Sequence, residues 1–306
     1  MTPASESTSA GRPPSLLVVG SVAFDRNERD GRVDQRLGGA ITYAGLTAAN
    51  LGCRVAGWCA LPAAVVERVA GRLDRIDLYV SPSPHATRFV NREAAGSERG
   101  QSCPERARPL RWEDRPFSRR VRWDWCHLGP LHPDDFDAAV ATGLRDQSGV
   151  LSLDVQGFTR AIEDDGRVVE RAADGLVRRL DRLDWVKASA AEWRVVATSL
   201  GLEPAEALRR FGWQGLLVTA GERGGTLYAG DGTFPWSAEP VLRVEWETGA
   251  GDVFVAAFVA RHWVESRSAS AADASPAERA LAEAARISAR HVAGDWLDRD
   301  ELVLAT

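Results

Sequence analysis

Short apolar runs alternate with helical patterns along most of the chain, and this alternation limits the folds that are open to it. The apolar runs are typical of buried strands and lie at residues 16–22, 54–60, 125–128, 150–154, 185–187, 215–219 and 226–229. Helical patterns fall between several of them, at about residues 40–51, 133–145, 170–182, 190–199 and 203–211. Strands that alternate with helices at this spacing indicate an α/β fold, in which a mostly parallel central sheet carries helices on both faces.

Two charged segments interrupt the alternation. Residues 23–37 surround an Asp-Gly turn signal, and residues 86–115 join the strand-like A-T-R-F-V-N-R-E to a tract rich in glycine, serine and arginine. Both are predicted to form hairpins or strands that project from the sheet. The 44% hydrophobic content of the 306 residues is enough for one large domain, with or without an appendage. We predict a single domain over residues 15–306, preceded by a disordered tail of small and polar residues 1–14.

Composition argues against several classes of function. The formal net charge is −5, whereas a nucleic-acid-binding domain normally carries a basic face or stripe. The four cysteines form no C-x-x-C pair and the five histidines have no metal-binding spacing, which argues against a zinc site or a disulfide framework. The N-terminus has no basic start followed by an apolar core, and no apolar run approaches the ~20 residues that span a bilayer. We therefore predict a cytoplasmic protein without nucleic-acid or membrane partners.

The run T-G-A-G-D at residues 248–252 joins a predicted strand to an apolar helix. Unpaired backbone N–H groups at a helix start, where the helix dipole is positive, bind anions, and glycines let the anion approach the backbone. Asp252 is unexpected there, because a carboxylate repels a bound phosphate. Two interpretations stay open from this motif: Asp252 is a first-turn acid that stabilises the helix, or it is a general base that takes a proton from an attacking hydroxyl.

Five motifs in order along residues 16–294 resemble the ribokinase-like (PfkB-type) carbohydrate and nucleoside kinases. The run E-T-G-A-G-D-V-F at residues 247–254 is similar to the family's D-T-x-G-A-G-D-x-F signature. The others are G-S-V-A-F-D (20–25), G-G-A-I-T-Y (38–43), V-T-A-G-E-R-G-G (218–225) and K-A-S-A-A-E (187–192). The resemblance implies a three-layer α/β/α fold with a small projecting β lid, formed by the segments at about 23–37 and 86–115, that closes over the substrate and excludes water.

The resemblance also implies which residues carry out catalysis and bind the acceptor. Asp252 would be the general base, and the anion hole for the γ-phosphoryl group would be the backbone of Gly249, Ala250 and Gly251. Acceptor hydroxyls would be bound by Asp25, Gly38 and Gly39. The family's asparagine after the glycine pair is missing, so Thr42 or Tyr43 would face the acceptor instead, which argues against ribose itself.

On the donor side, the resemblance implies ATP and Mg²⁺ as cofactors. Thr219, Gly221 and Gly224 would line the ATP site. Glu192 would act on Mg²⁺ through water, with Ser189 in place of the asparagine of the family's N-x-x-E element. The chain's only lysine, Lys187, would either meet a phosphate or form an ion pair at the strand end.

The run D-V-Q-G-F-T-R at residues 154–160 follows another predicted strand. Carboxyl ends of strands face the ligand crevice in open α/β sheets, so Asp154, Gln156 and Arg160 are candidates to reach substrate or phosphate. The alternative is an ordinary strand exit with a solvated arginine. With G-G-A-x-T-Y, this run resembles the inositol-kinase-like branch of the family.

These features predict an ATP-dependent, magnesium-requiring kinase whose partner is a small polyhydroxylated molecule, a sugar, cyclitol or related polyol. A nucleoside kinase of the same fold and a catalytically idle homologue that binds nucleotide or sugar are the alternatives. The sequence leaves open the acceptor, the hydroxyl that is phosphorylated, and whether two lids pair in a homodimer.

Overall fold

The computed structural model describes residues 12–29, 31–93, 100–230, 232–267 and 275–304. The strands are β1 Ser15–Gly20, β2 Ala23–Arg29, β3 Arg32–Gly38, β4 Arg54–Leu61, β5 Ile76–Pro82, β6 Thr87–Glu93, β7 Gly100–Glu105, β8 Trp123–Gly129, β9 Ser148–Asp154, β10 Arg160–Ile162, β11 Val168–Glu170, β12 Trp185–Ser189, β13 Gly215–Thr219, β14 Gly225–Ala229 and β15 Gly232–Trp236. The helices are α1 Leu46–Asn50, α2 Ala63–Arg72, α3 Ala138–Arg145, α4 Leu176–Arg179, α5 Ala190–Leu200, α6 Pro204–Phe211, α7 Ala250–Glu265, α8 Pro276–Val292 and α9 Arg299–Leu302.

The central sheet has nine strands in the order β15-β14-β13-β12-β9-β8-β1-β4-β5. The seven strands from β13 to β5 are parallel, and β14 and β15 continue the sheet in antiparallel pairing. Because neighbouring residues of a strand point to opposite faces, the residues of β1 divide between two cores. Leu16 and Val18 pack with α7 and α8, whereas Leu17 and Val19 pack with α3, α5 and α6. The predicted three-layer α/β/α fold is therefore confirmed.

A second sheet stands apart from the central one. It contains four strands in the order β3-β2-β6-β7, in which β2 and β6 run parallel and the other pairs are antiparallel. We call this sheet the lid sheet. It is built from residues of both segments predicted to project, but residues 106–115 do not belong to it, since Leu110 forms a bridge with Phe136 instead.

The N-terminal segment and one helix differ from the sequence-based predictions. Residues 1–11 of the predicted tail lie outside the described residues, whereas Arg12 forms a double hydrogen bond with Asp124 at 2.8 Å and Pro14 O accepts from the backbone N–H of Arg54. The helix predicted over 170–182 was wrong for most of its length: β11 ends at Glu170, and only Leu176–Arg179 is helical. None of the helices among the described residues has the length and apolarity required to cross a membrane.

Candidate active site

A cavity of about 490 Å³ lies at the carboxyl ends of the parallel strands, beneath the lid sheet. This is where open α/β sheets bind ligands, because the loops that leave neighbouring strands converge there. The predicted site residues that line it are Asp25, Gly39, Tyr43, Asp154, Gln156, Arg160, Lys187, Ser189, Glu192, Thr219, Gly221, Gly249, Ala250, Gly251 and Asp252. Residues more than two hundred positions apart in sequence thus meet in one cavity.

The start of α7 forms the floor of this cavity. Gly249 precedes the helix with φ of +82°, a left-handed conformation that favours glycine. A Cβ at this position would also lie 2.3 Å from the ring of Tyr43. The first-turn N–H groups, on Ala250, Gly251 and Asp252, are the ones that a helix cannot pair within itself, although Ala250 N–H donates to Glu247 O at 3.2 Å. The floor therefore has the geometry of an anion site.

Helix α8 holds the loop that leads into this helix start. His291, fully buried, donates from Nε2 to Thr248 O at 2.9 Å, and Ser288 Oγ donates to Ala250 O at 3.3 Å. Burial lowers the pKa of His291, which favours the neutral imidazole. Just before the loop, the backbone N–H groups of Glu245 and Trp246 both donate to Val292 O. Four hydrogen bonds with α8 thus hold the loop and the residues on either side of it, which pre-organises the N–H groups of the anion site.

Asp252 is the third residue of α7 and points into the cavity. Burial and the negative charge of Asp154 together raise its pKa to about 7, although the positive charge of Lys187 opposes the shift. The helix is capped by Gly249, and no side-chain hydrogen bond is made at the cap. A carboxyl group with a pKa near neutrality can accept a proton at physiological pH, which is the property required of a general base.

Lys187 lies directly beneath the helix start. Its Nζ donates to Asp154 Oδ2 at 2.8 Å, and a Cβ on Gly251 would lie 2.7 Å from the same Nζ. Burial alone would lower the pKa of this amine, but the charges of Asp154, Glu192 and Asp252 outweigh that effect and raise it. The sequence left open whether Lys187 meets a phosphate or forms an ion pair. The geometry is compatible with both, because Lys187 pairs with Asp154 and its ammonium group also faces the anion site.

Arg160 supplies a second cation. Asp154 Oδ1 accepts from Gln156 N–H at 2.9 Å and so caps a 3₁₀ turn, Val155–Thr159, after which Arg160 begins β10. Burial lowers the pKa of Arg160, while nearby acids, Glu192 foremost, oppose that shift. Arg160 is half-buried and lines the cavity, which favours the predicted role in ligand binding over an ordinary strand exit.

Asp25 and Tyr43 define the end of the cavity nearest the lid sheet. Asp25 is buried, and its Oδ2 occupies the space that a Cβ on Gly38 would fill, at 2.1 Å. The Tyr43 hydroxyl is buried and finds no hydrogen-bond partner among the described residues, and burial raises its pKa. A buried donor of this kind is costly unless a ligand satisfies it.

Three predicted site residues do not line the cavity. Thr42 is fully buried, and its hydroxyl donates to Gly38 O at 2.8 Å, so it lies behind the cavity wall rather than facing an acceptor. Gly38 makes room for Asp25, as described above. Gly224 has a φ of +84°, and a Cβ on this residue would lie 2.0 Å from Trp236 O. The glycine therefore allows the β13–β14 turn to pass close to Trp236. Its predicted contact with a nucleotide stays a prediction.

Sequence reasoning missed several residues of the lid-side wall. They are Phe89, Asn91, Gln101 and Leu131. The alternation of T-R-F-V-N over residues 87–91 could have identified two of them, because Phe89 and Asn91 lie on one face of β6. Which face points inward depends on the pairing of β6 with β2, and this pairing joins segments about sixty residues apart.

Glu192 and Ser189 form a capping box at the start of α5. Ser189 N–H donates to Glu192 Oε2 at 2.6 Å, and Glu192 N–H donates to Ser189 Oγ at 3.2 Å. Within the described ranges no three acidic, histidine or cysteine side chains are grouped closely enough to hold a metal ion alone. The carboxylates of Asp154, Glu192 and Asp252 line the same cavity, and carboxylate oxygens are the ligands that Mg²⁺ prefers.

Comparison with solved structures gives matches over almost the whole chain. A pyrophosphate-dependent kinase in the ribokinase family, solved as a sulfate complex, is 24% identical with a TM-score of 0.79, covering 94% of this chain and 98% of the other. A pyrophosphate-dependent kinase of that family, complexed with a pyrophosphate analogue and myo-inositol, is 24% identical with a TM-score of 0.77, covering 90% and 94%. The nucleoside kinase of Methanocaldococcus jannaschii is 15% identical with a TM-score of 0.69, covering 92% and 93%. These likenesses establish the shared fold.

A match to a sequence family adds the enzyme class. No sequence match is found among curated proteins. Residues 160–289, which include Lys187 and the T-G-A-G-D loop, match the pfkB family of carbohydrate kinases. The predicted class, a phosphotransferase with an alcohol group as acceptor, is thereby confirmed. The predicted resemblance to the pfkB-type carbohydrate kinases is thus confirmed over residues 160–289 of the chain.

Proposed function

We propose that the protein transfers the γ-phosphoryl group of ATP to a hydroxyl of a sugar, cyclitol or related polyol. The observation that carries this proposal is the position of Asp252. A carboxyl group with a pKa of about 7 lies between an anion site built from backbone N–H groups and a polar wall that contains Asp25. A base next to an anion site has a use when a hydroxyl must lose its proton as it attacks a phosphoryl group.

Each side chain of the cavity has a part in this reaction. Asp25 accepts hydrogen bonds from acceptor hydroxyls and orients one of them towards Asp252, which takes its proton. Lys187, Arg160 and the N–H groups from Gly249 to Gly251 stabilise negative charge on the transferring group. Mg²⁺, when bound near Glu192, neutralises charge on the donor phosphates. Positioning and charge stabilisation supply most of the rate in reactions of this kind.

The donor is the first point to test. Thr219 and Gly221 line the cavity on the side expected for ATP. Inorganic pyrophosphate is a second candidate, because two relatives of the same fold are described as pyrophosphate-dependent. In addition, two cations line the cavity, the buried Lys187 and the half-buried Arg160. Incubation with a polyol and either ATP or pyrophosphate distinguishes them: ADP formation supports ATP, and orthophosphate formed only when polyol is present supports pyrophosphate.

The acceptor is the second point. The wall near Asp25 contains carboxylate, amide and hydroxyl groups, which match a ring that carries several hydroxyls. No tryptophan is among the described residues that line the cavity, so the stacking surface that a nucleoside kinase needs is limited to Phe89 and Tyr43. This favours a polyol over a nucleoside.

A panel of inositols, sugars, aminosugars and nucleosides, each offered with both donors, tests the proposal. Turnover of at least one polyol, abolished by Asp252→Asn, is the expected result. Preferred turnover of a nucleoside would favour the nucleoside-kinase alternative. Tight donor binding without turnover of any acceptor would favour an idle homologue. If ATP is the donor, its abundance in the cytoplasm supports a cytoplasmic location.

The lid sheet is proposed to close over the acceptor and exclude water. Both of its edges are contacted by the same chain: Leu304 N–H donates to Gln35 O of β3, and Cys103 N–H of β7 donates to Gly166 O. A homodimer that pairs lid sheets would therefore use their outer faces rather than their edges. Sedimentation equilibrium of the wild type tests whether such a dimer forms.

A further inference from the structure

One row of polar side chains crosses the lid sheet from edge to edge. It contains Asp34 on β3, Asn27 on β2, Asn91 on β6 and Gln101 on β7, each opposite the next in the strand register. Because directly paired residues point to the same face, all four lie on one side of the sheet. Asn91 and Gln101 line the cavity, so this is the side that faces the acceptor. We call these four residues the lid row.

The side chains of the lid row are joined by hydrogen bonds. Asn27 Nδ2 donates to Asp34 Oδ1 at 2.7 Å, Asn91 Nδ2 donates to Asn27 Oδ1 at 2.9 Å, and Gln101 Nε2 donates to Asn91 Oδ1 at 2.7 Å. Arg36 Nε donates to the other oxygen of Asp34 at 2.9 Å. The row is therefore a continuous chain that starts at an ion pair and ends at the cavity.

The carboxylate of Asp34 determines which way the hydrogen bonds of the lid row run. An ionised carboxylate accepts hydrogen bonds and donates none, whereas a carboxamide can do either, depending on which way it is turned. Asp34 thus requires Asn27 to present its NH₂ group, which leaves Asn27 Oδ1 for Asn91. The same requirement passes along the row, and Gln101 must use its NH₂ group towards Asn91.

The last member of the row is then left with an unused acceptor. No described residue donates a hydrogen bond to Gln101 Oε1. Asn91, which is 4% exposed, has both its Oδ1 and one Nδ2 hydrogen engaged, so it cannot turn over without breaking two bonds. The lid row therefore turns the NH₂ group of Gln101 towards Asn91 and leaves Gln101 Oε1 as the unused hydrogen-bond acceptor at the cavity end of the row.

We propose that Asp34, which lies outside the cavity, is a positioning residue that sets the direction of the lid row, and that the row makes the lid select an acceptor hydroxyl that donates a hydrogen bond to Gln101. This deepens the proposed function and rests on it. It favours polyols with a free hydroxyl at the position recognised by the lid, and it disfavours analogues that carry a methoxy group or fluorine there.

The substitution Asp34→Asn tests whether Asp34 sets the direction of the hydrogen bonds along the lid row. The substituted amide can present either group to Asn27, so the whole row can reverse. The probes are myo-inositol, or whichever sugar of the panel turns over faster, and its monodeoxyfluoro analogues, because fluorine cannot donate. For one analogue, wild-type kcat/KM should fall by roughly tenfold or more relative to the parent compound, the effect of one lost hydrogen bond with its acceptor left unpaired. In Asp34→Asn this discrimination should shrink to roughly two- to threefold.

Glu105→Gln is the matched control. Glu105 pairs with Arg88 at 2.8 Å on the same sheet, both side chains are exposed, and neither belongs to the lid row. The substitution makes the same change from carboxylate to amide. It should leave the discrimination between parent compound and fluoro analogue within about twofold of wild type.

A second experiment needs no acceptor. Gln101→Glu places a second carboxylate at the cavity end of the row. Both ends can then only accept hydrogen bonds, so one hydrogen bond of the row must break. Asp34→Asn combined with Gln101→Glu allows the row to run in the opposite direction without a break. The double variant should therefore melt at a higher temperature than Gln101→Glu alone, although the two residues are not in contact.

The outcomes separate the two proposals. If wild type turns over no acceptor, the proposed function fails, but the melting temperatures still test the direction of the row. If polyols are turned over while Asp34→Asn keeps the wild-type discrimination, or if the effects of the two substitutions on melting add independently, the positioning role of Asp34 is overturned.

Discussion

Replacing Asp252 by asparagine tests the catalytic assignment most directly. The change keeps the shape of the side chain and removes its ability to take a proton. A positioned general base contributes roughly 10²–10⁴-fold to a rate, so kcat should fall by about that factor. The anion site consists of backbone N–H groups and the Lys187 and Arg160 cations, which the substitution leaves in place. Donor affinity should therefore change by less than about threefold.

The dependence of the rate on pH follows from the same residue. Burial and the charge of Asp154 raise the pKa of Asp252 to about 7, so about half of the molecules carry the base at pH 7. Wild-type kcat/KM should rise with pH, about tenfold per unit below pH 6, and level off above pH 8. Asp252→Asn should abolish this limb of the profile.

The free energy of unfolding should fall as pH rises, whereas the rate should increase. A carboxyl group whose pKa is raised in the fold, from 3.8 to about 7, binds a proton more tightly in the folded than in the unfolded chain. The folded state therefore holds more protons between about pH 4 and pH 7, and the free energy of unfolding falls as pH rises through that window. Asparagine has no charge to desolvate, so the variant should be more stable than wild type at pH 8, by on the order of a few kcal/mol.

The assay combines single-turnover kinetics, donor titration and thermal melting of wild type, Asp252→Asn and Asp181→Asn, the last being the same change at an exposed aspartate. Asp181→Asn should match wild type in all three. If Asp252→Asn kept more than about a tenth of wild-type kcat with a true acceptor, the base assignment would fail. A variant that lost both activity and stability at pH 8 would contradict the burial argument.

Three further substitutions test the surroundings of the base. Lys187→Met removes the ion-pair partner of Asp154 and one of the two cations that lower the pKa of Asp252, so the rising limb of the pH profile should move to higher pH. Stability should drop by roughly 3–5 kcal/mol, measured by denaturant titration. An unchanged apparent pKa would argue against this coupling. Tyr43→Phe removes a buried hydroxyl with no partner among the described residues, so melting should stay level or rise while the acceptor KM increases; an unchanged KM would place the hydroxyl outside the acceptor site. Gly249→Ala should lower the melting temperature more than Gly251→Ala, because it forces both a positive φ, at ~1–2 kcal/mol, and a contact with the rigid Tyr43 ring, whereas Gly251→Ala meets the flexible end of Lys187.

Much of the donor half of the site is predictable because it is built on strand ends. Asp154, Lys187 and Thr219 each end or nearly end a strand of the same parallel sheet, and β9, β12 and β13 are neighbours in that sheet. Parallel strands place their carboxyl ends along one edge, so a correct strand assignment brings such residues together without knowledge of any contact. The T-G-A-G-D loop is different: the strand predicted directly before it was wrong, since β15 ends at Trp236 and residues 237–249 reach α7 without forming a strand.

The acceptor half is harder to predict because it depends on pairing between distant segments. Asn91 and Gln101 face the cavity only because β6 pairs with β2 and β7 pairs with β6 in one particular register. A shift of one residue would turn both side chains to the opposite face. The choice between Thr42 and Tyr43 was open for a similar reason: the predicted helix begins with a π-helical turn, Ile41–Gly45, which turns Tyr43 towards the cavity and Thr42 towards Gly38 O.

The ambiguity of Asp252 in the sequence is reduced by the direction of its pKa shift. An acid that merely stabilises the first turn of a helix is favoured in its charged form by the helix dipole, so its pKa should be lowered. The pKa of Asp252 is raised, because burial and two neighbouring carboxylates, Asp154 and Glu192, outweigh the dipole and the cations. The fold thus carries a carboxyl group that its surroundings disfavour when charged. Such a position costs stability, and it is expected where the chemistry of a bound substrate requires the proton to leave and return near neutral pH.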